Sequence, residues 1–320
     1  MNAIVVTFDR LPVGFLACYG NGWIATPSFD RLAAKSALFH QHFADCTASE
    51  STSAAWWSGR HECRRDRKGT DRLWLPSLLA DHGVTFRLLL ESTADGGAKK
   101  SGQFPAEYTE TVRGTDGLDV ATEETPFFRL VARAQRDLRL LRTSRKEPWL
   151  LWLKSRGIPL PWLAPREFAT KFLDMEDDQE ADLEPDEPDD VESDDNGMVE
   201  MSGDQFDDLL RSVAQLPVGR NNRDALSEVE RGLMRRVCGG YVALLDAALG
   251  RLLDQIDQDA ATAPTLLIVT AARGITVREP GLMLDEWEEL AEETVHTPLF
   301  VRPAGMNRGI RCQDLVQTVD

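Results

Sequence analysis

The chain has 320 residues, of which 42% are hydrophobic, and a formal net charge of −17. This length can bury one large core, and no run of about 18 apolar residues is present that would span a membrane. The five cysteines are widely spaced and form no CxxC pair, which argues against a disulfide framework and a zinc site. The first residues, MNAIVVTFDR, show neither a basic segment nor a cleavage site, so we expect a cytoplasmic protein without a signal peptide.

Apolar runs that alternate with helical patterns follow this N-terminus. The strand-like runs are residues 3–8, 84–90, 149–153, 266–270 and 298–301. Pro27 and Pro126 stand at the expected first turns of two helices, and the SEVE sequence at Ser227 is a capping box before the longest helix. Strands that alternate with helices are typical of parallel sheets. The sequence therefore predicts a three-layer α/β/α sandwich with a mostly parallel central sheet.

The negative charge is concentrated in one segment, at about residues 174–208. This segment has 18 Asp and Glu residues and no Lys or Arg, so the remainder has 35 acidic and 36 basic residues. A like-charged run with Pro185, Pro188 and Gly197 buries too little apolar surface to fold, and we predict a disordered acidic insertion. A basic protein is a candidate partner for it. The nearly neutral remainder argues against nucleic-acid binding, and we expect no membrane contact.

The opening of the chain carries a more specific signal. An apolar strand, a CYGN turn, a TPSFDRLAAKS helix start and an F-x-x-x-F step follow one another in AIVVTFDRLPVGFLACYGNGWIATPSFDRLAAKSALFHQHFAD. This order resembles the opening of the sulfatases, in the alkaline-phosphatase superfamily. Three later segments are similar to further helices and strands of that family, namely LPSLLADHGVTFRLLL, GGYVALLDAALGRLLDQID and HTPLFVRPAG. The resemblance implies an alkaline-phosphatase-like α/β domain over residues 1–320.

The resemblance also implies a metal site, but this sequence departs from it. In sulfatases a divalent cation held mainly by carboxylates orients the sulfate. The first pair of metal carboxylates falls on Asp9 and Arg10, and the second falls on Ala272 and Arg273. Asp9 is thus an orphan ligand, and we expect it to form a salt bridge with Arg10 or Arg273. Sulfate-binding Lys and His positions fall on Glu91 and Thr93, and the P-H step reads IPLPW without His.

The family's nucleophile is a formylglycine made from the Cys or Ser of a C-x-P-S-R motif. Counting back from Ser58-Gly59-Arg60, the counterpart of the family's T-G-R, places Ser49 at this position. In an alternative register, which needs three inserted residues, Cys46-Thr47-Ala48-Ser49-Glu50 resembles C-x-A-S-R with Glu in place of Arg, and Cys46 is the nucleophile. Neither register supplies the motif's Arg, so we expect neither residue to become formylglycine.

Two functions remain open. The first is a sulfatase-like pseudoenzyme with a binding role and no cofactor, in which Arg10, Arg60 and Arg273 bind a sulfate or phosphate ester. The alternative is an active sulfuric or phosphoric ester hydrolase with a rearranged calcium or magnesium site. Its ligands would be Asp9 and carboxylates of the unassigned stretch 93–125, namely Asp95, Glu107, Glu110 and Asp116. We expect the family's C-terminal subdomain to be absent, because the sequence stops at Asp320, or the chain to be a fragment.

Overall fold

The computed structural model describes residues 2–61, 74–93, 106–144, 147–173, 203–214, 228–259, 264–275 and 291–320. An eight-stranded sheet forms its centre. The strands are β1 (Asn2–Arg10), β2 (Ala37–Phe43), β3 (Thr85–Thr93), β4 (Thr109–Gly114), β5 (Trp149–Gly157), β6 (Thr265–Arg273), β7 (Leu299–Arg302) and β8 (Ile310–Gln317). Their order is β4-β3-β5-β1-β6-β7-β2-β8. Strand β7 runs antiparallel to both neighbours, and all other pairs are parallel.

Helices cover both faces of the sheet, which confirms the predicted three-layer α/β/α fold. They are α1 (Pro27–Ala33), α2 (Ser49–Ser58), α3 (Leu75–Asp81), α4 (Pro126–Ser144), α5 (Arg166–Ala169), α6 (Gly203–Ala214), α7 (Glu228–Asp259) and α8 (Glu292–Val295). Short 3-10 helices lie at Val13–Phe15, Ala17–Tyr19, Ala106–Tyr108 and Thr122–Glu124. Helices α1, α4 and α7 share the larger core with one sheet face, and α2 and α3 share a smaller core with the other.

Burial on both faces explains why the central strands are continuously apolar. In β1, Ile4, Val6 and Phe8 belong to the larger core, whereas Val5 belongs to the smaller one. Alternate side chains of a strand point to opposite faces, so both sets of positions must be apolar. Every strand-like run of the sequence lies in an observed strand or overlaps one. None of the helices in the described ranges is long and apolar enough to cross a membrane.

Helix α6 overlaps the C-terminal end of the predicted acidic insertion. Residues 203–208, which the composition assigned to the insertion at about 174–208, belong to α6. This helix packs against α7 through Leu210 and Val213, which are 1% and 4% exposed. The apolar residues just after the acidic run therefore stabilise a helix that extends back into it. Residues 174–202 lie outside the described residues.

Candidate functional site

The carboxyl ends of five parallel strands, β4, β3, β5, β1 and β6, lie at one edge of the sheet. This edge is where open α/β sheets place their ligand sites. The strand register puts Arg10 of β1 beside Gly157 of β5 and Arg273 of β6. The two arginines thus stand on neighbouring strands, whose backbones are about 4.8 Å apart.

Asp9 lies between these two guanidinium groups. Its Oδ2 is 3.8 Å from Nε of Arg10 and 4.0 Å from Nη2 of Arg273. All three side chains are between 15% and 27% exposed. The expected salt bridge therefore forms with both arginines, although each contact is longer than a charge-assisted hydrogen bond of about 2.8 Å. Ala272, at the other carboxylate position, is 1% exposed and offers only a methyl group.

Lys154 is a residue of this site that the sequence reasoning missed. It lies on β5 in register with Thr7 of β1, and its Nζ donates a hydrogen bond of 2.8 Å to Oγ of Ser53 on α2. Burial lowers the pKa of Lys154, whereas the negative charges of Asp9 and Glu50 act in the opposite direction. The available signal was one charged residue at the carboxyl end of the otherwise apolar WLLWL strand.

The two nucleophile candidates lie at the start of α2. Ser49 is the first residue of this helix, next to Ala48, and Cys46 lies in the loop before it. The thiol of Cys46 donates to the carbonyl oxygen of Ala48 at 3.5 Å and lies 3.4 Å from Oγ1 of Thr52. Both candidates are partly exposed. The structure therefore places both near the helix N-terminus, where backbone N–H groups point out of the helix.

Arg60, the third predicted anion-binding residue, lies just beyond the C-terminal end of α2. It is exposed and follows Gly59, the left-handed residue that ends α2 with φ of 63°. A ten-residue helix is about 15 Å long. Arg60 is consequently at the opposite end of α2 from Ser49, whereas Arg10 and Arg273 meet at Asp9.

A second polar network lies where β3 and β5 end. Glu91, which the family resemblance aligns with a sulfate-binding lysine, is 7% exposed and accepts a 2.6 Å hydrogen bond from the hydroxyl of Ser155. Burial raises the pKa of Glu91 to about 7, against the opposing effects of Ser155 and Arg156. Nearby, Asp116 accepts hydrogen bonds from Arg156 at 3.1 Å and from the hydroxyl of Tyr241 on α7 at 2.9 Å. Asp116 is therefore bound within the fold.

Of the remaining carboxylates of the alternative metal site, Glu110 is held by two arginines. Oε2 of Glu110 lies 2.7 Å from Arg133 and 3.4 Å from Arg87. Glu107 is exposed, and Asp95 lies outside the described residues. Across the part of the chain that the structure describes, no three His, Cys, Asp or Glu side chains are grouped so that they could hold a metal ion.

Known proteins share this sequence pattern. The sulfatase family model matches residues 1–320. Arylsulfatase H of Canis lupus familiaris is 38% identical over 63 residues, which are 20% of this chain and 11% of that protein. Iduronate 2-sulfatase of Homo sapiens is 23% identical over 338 residues, covering 94% of this chain. The chain spans only 59% of the length of that sulfatase.

A solved structure shows that the fold is shared as well. The phosphonate monoester hydrolase of Silicibacter pomeroyi superposes with a TM-score of 0.68 at 16% sequence identity. The match covers 100% of this chain and 71% of the hydrolase. Together with the family match over the whole sequence, these similarities establish that the chain belongs to the sulfatase family and has the fold of the alkaline phosphatase superfamily.

Proposed function

We propose that this sulfatase-family chain is catalytically degenerate and acts by binding a sulfate or phosphate ester without a metal cofactor. The observation that supports this proposal is the position of Asp9 between Arg10 and Arg273. Calcium and magnesium are bound by about six oxygen ligands. One carboxylate with two guanidinium groups within 4.0 Å supplies neither those ligands nor the negative charge that attracts a cation.

The same residues suit an oxyanion. Guanidinium groups bind the oxygens of sulfate and phosphate through paired N–H donors and remain charged at all physiological pH values. Arg10 and Arg273 occupy equivalent register positions on adjacent strands, so one tetrahedral anion can reach both. Both side chains remain partly exposed, at 18% and 15%, which leaves them accessible from the edge of the sheet.

Turnover would require features that this site does not supply. Ester cleavage in such a site depends on preorganised positive charge at the leaving oxygen and on an activated nucleophile. Glu50 or Ser53 stands where the modification motif needs Arg, and Glu91 replaces a sulfate-binding lysine. These replacements favour binding over hydrolysis.

The test combines activity, metal content and binding. The purified protein is incubated with 4-nitrophenyl sulfate and 4-nitrophenyl phosphate in the presence of magnesium, calcium or manganese, while bound metal is measured by mass spectrometry and ester affinity by calorimetry. We expect the protein to bind the esters, not to hydrolyse them, and to contain no stoichiometric metal. Arg10→Gln and Arg273→Gln should each weaken binding about tenfold or more, and the exposed control Arg308→Gln should not.

Two outcomes would contradict this proposal. Metal-dependent hydrolysis that disappears in Asp9→Ala would refute the proposal and establish an active ester hydrolase with a rearranged metal site. Binding that survives both arginine substitutions would place the ligand elsewhere on the protein.

A further inference from the structure

Strand β8 is attached to the rest of the fold along one side. It is the last strand in the described sheet, where it pairs with β2, and six of its eight residues are exposed. The register of the β2–β8 pair shifts between Phe39 and Gln41, which interrupts the backbone ladder at His40. Exposed segments with few packing contacts are the parts of a fold that open most readily. Side-chain contacts across this interruption therefore decide how firmly β8 is attached.

Arg311 of β8 makes such a contact with His40. Arg311 is in register with Leu38, and alternate side chains of β2 share a face, so His40 lies on the same side. Nη1 of Arg311 donates to Nε2 of His40 at 2.7 Å and to the carbonyl oxygen of Cys18 at 3.0 Å. Because a guanidinium group has only donors, Nε2 must be the acceptor and His40 must be neutral. Protonation would turn Nε2 into a donor and place two cations in contact.

The surroundings of His40 disfavour this second proton. Burial lowers the pKa of His40, and the charges of Arg311 and His296 lower it further. His296 donates from Nε2 to the backbone carbonyl oxygen of His40 at 2.8 Å, a hydrogen bond that protonation of His296 preserves. The ring of Tyr19 lies edge-on at 5.5 Å from the ring of His40, and burial raises the pKa of Tyr19, so that its hydroxyl stays uncharged.

The other titratable groups near this contact differ from His40 in where they titrate. Burial lowers the pKa of His42, which follows on the same face of β2, to about 4. Burial raises the pKa of the Cys18 thiol to about 12. Asp30 of α1 interacts electrostatically with Arg311, and burial raises the pKa of Asp30 against that effect. Between pH 5 and pH 7.5, His42 and Cys18 thus stay neutral, and Asp30 is the group from which His40 must be distinguished.

We propose that the contact between His40 and Arg311 is a pH-sensitive attachment of edge strand β8, intact while His40 is neutral and broken when His40 is protonated. This inference is independent of the proposed ester binding. The folded chain binds the proton less readily than the unfolded chain, whose His has a pKa of about 6.5. The stabilisation is therefore fully present above this value and is lost as the pH falls through the lower pKa of the folded state. Opening of β8 would uncover Leu38, which is 1% exposed, and the backbone edge of β2.

The test follows hydrogen–deuterium exchange of residues 310–317 by mass spectrometry at pH 7.5 and pH 5, after correction for intrinsic exchange and with β1 as the internal reference. We expect the protection of β8 to fall about fivefold or more at pH 5 while that of β1 is unchanged. In His40→Gln the amide oxygen can accept from Arg311 and does not titrate, so β8 should keep its protection at pH 5. His82→Gln removes an exposed histidine elsewhere and should behave as the wild type.

A second measurement reads the contact directly. The pKa of His40, determined by NMR of its imidazole, should lie below 6.5, and Arg311→Met should raise it while lowering the protection of β8 at pH 7.5. A wild-type His40 pKa at or above 6.5, or equal protection of β8 at both pH values, would overturn the proposal. A loss of protection at pH 5 that persists in His40→Gln would overturn it as well and would assign the titration to Asp30.

Discussion

Glu91 allows a quantitative prediction about stability and pH. Its carboxyl group is buried at the end of β3, where burial raises its pKa from 4.5 to about 7. Between these values the folded chain keeps a proton that the unfolded chain releases, so stability falls as the pH rises through this window and levels off above it. The difference between 7 and 4.5, at about 1.4 kcal/mol for each pH unit, corresponds to about 3 kcal/mol.

Glu91→Gln removes this ionisation and preserves the shape of the side chain. We expect it to raise the free energy of unfolding by about 3 kcal/mol at pH 8 and by less than about 1 kcal/mol at pH 5, because at pH 5 the wild-type carboxyl is already neutral when folded. Urea unfolding followed by tryptophan fluorescence at both pH values measures the difference. Glu107→Gln, at an exposed position, is the control. An equal effect at both pH values, or a loss of stability at pH 8, would refute the reasoning.

Three other substitutions test the packing around the sheet. Trp57→Ala should lower the free energy of unfolding by about 3–5 kcal/mol in urea, because Trp57 is 2% exposed and contacts the rings of Trp74, Phe86 and Trp152. Gly157→Ala should lower the free energy of unfolding by more than about 1 kcal/mol, since φ is 64° and an added Cβ would lie 2.0 Å from the carbonyl oxygen of Arg10. Gly305→Ala is the control: Gly305 also has positive φ but faces open space, so this substitution should lower the free energy of unfolding by less. Asp246→Ala should lower the melting temperature and the free energy of unfolding, the latter by about 1–3 kcal/mol, because the Asp246 carboxylate accepts hydrogen bonds from the backbone N–H groups of Ser28 and Phe29 at 2.9 Å. Asp246→Asn keeps an acceptor oxygen and should lower the free energy of unfolding by less.

The central part of the fold was predictable because its strands are buried on both faces. Such strands are continuously apolar, and they were recognised from the sequence in β1, β3, β5 and β6. Strands β4 and β8 were not predicted, because they form the edges of the sheet and carry many polar side chains. In β8, six of the eight residues from Ile310 onward are exposed, so neither alternation nor an apolar run marks it. Strand β2 escaped notice because His40, Gln41 and His42 interrupt its apolar residues.

The candidate site was predictable only where neighbouring strands determine it. The pairing of Asp9 with Arg10 and Arg273 followed from their positions at the ends of β1 and β6, which are adjacent. The hydrogen bond of Lys154 joins β5 to Ser53 on α2, and the Glu91 network depends on contacts among β3, β5 and α7. These are tertiary contacts between distant segments that a local sequence pattern does not encode.

The positive groups beside Asp9 are covalent parts of the chain, in contrast to a bound ion. A chelator can strip calcium or magnesium from a protein, and the occupancy of such a site follows the ion concentration of its surroundings. The charges of Arg10 and Arg273 are instead present in every copy of the folded chain, at any concentration of free divalent ions. The positive charge that these two side chains contribute at this edge of the sheet is therefore independent of metal supply.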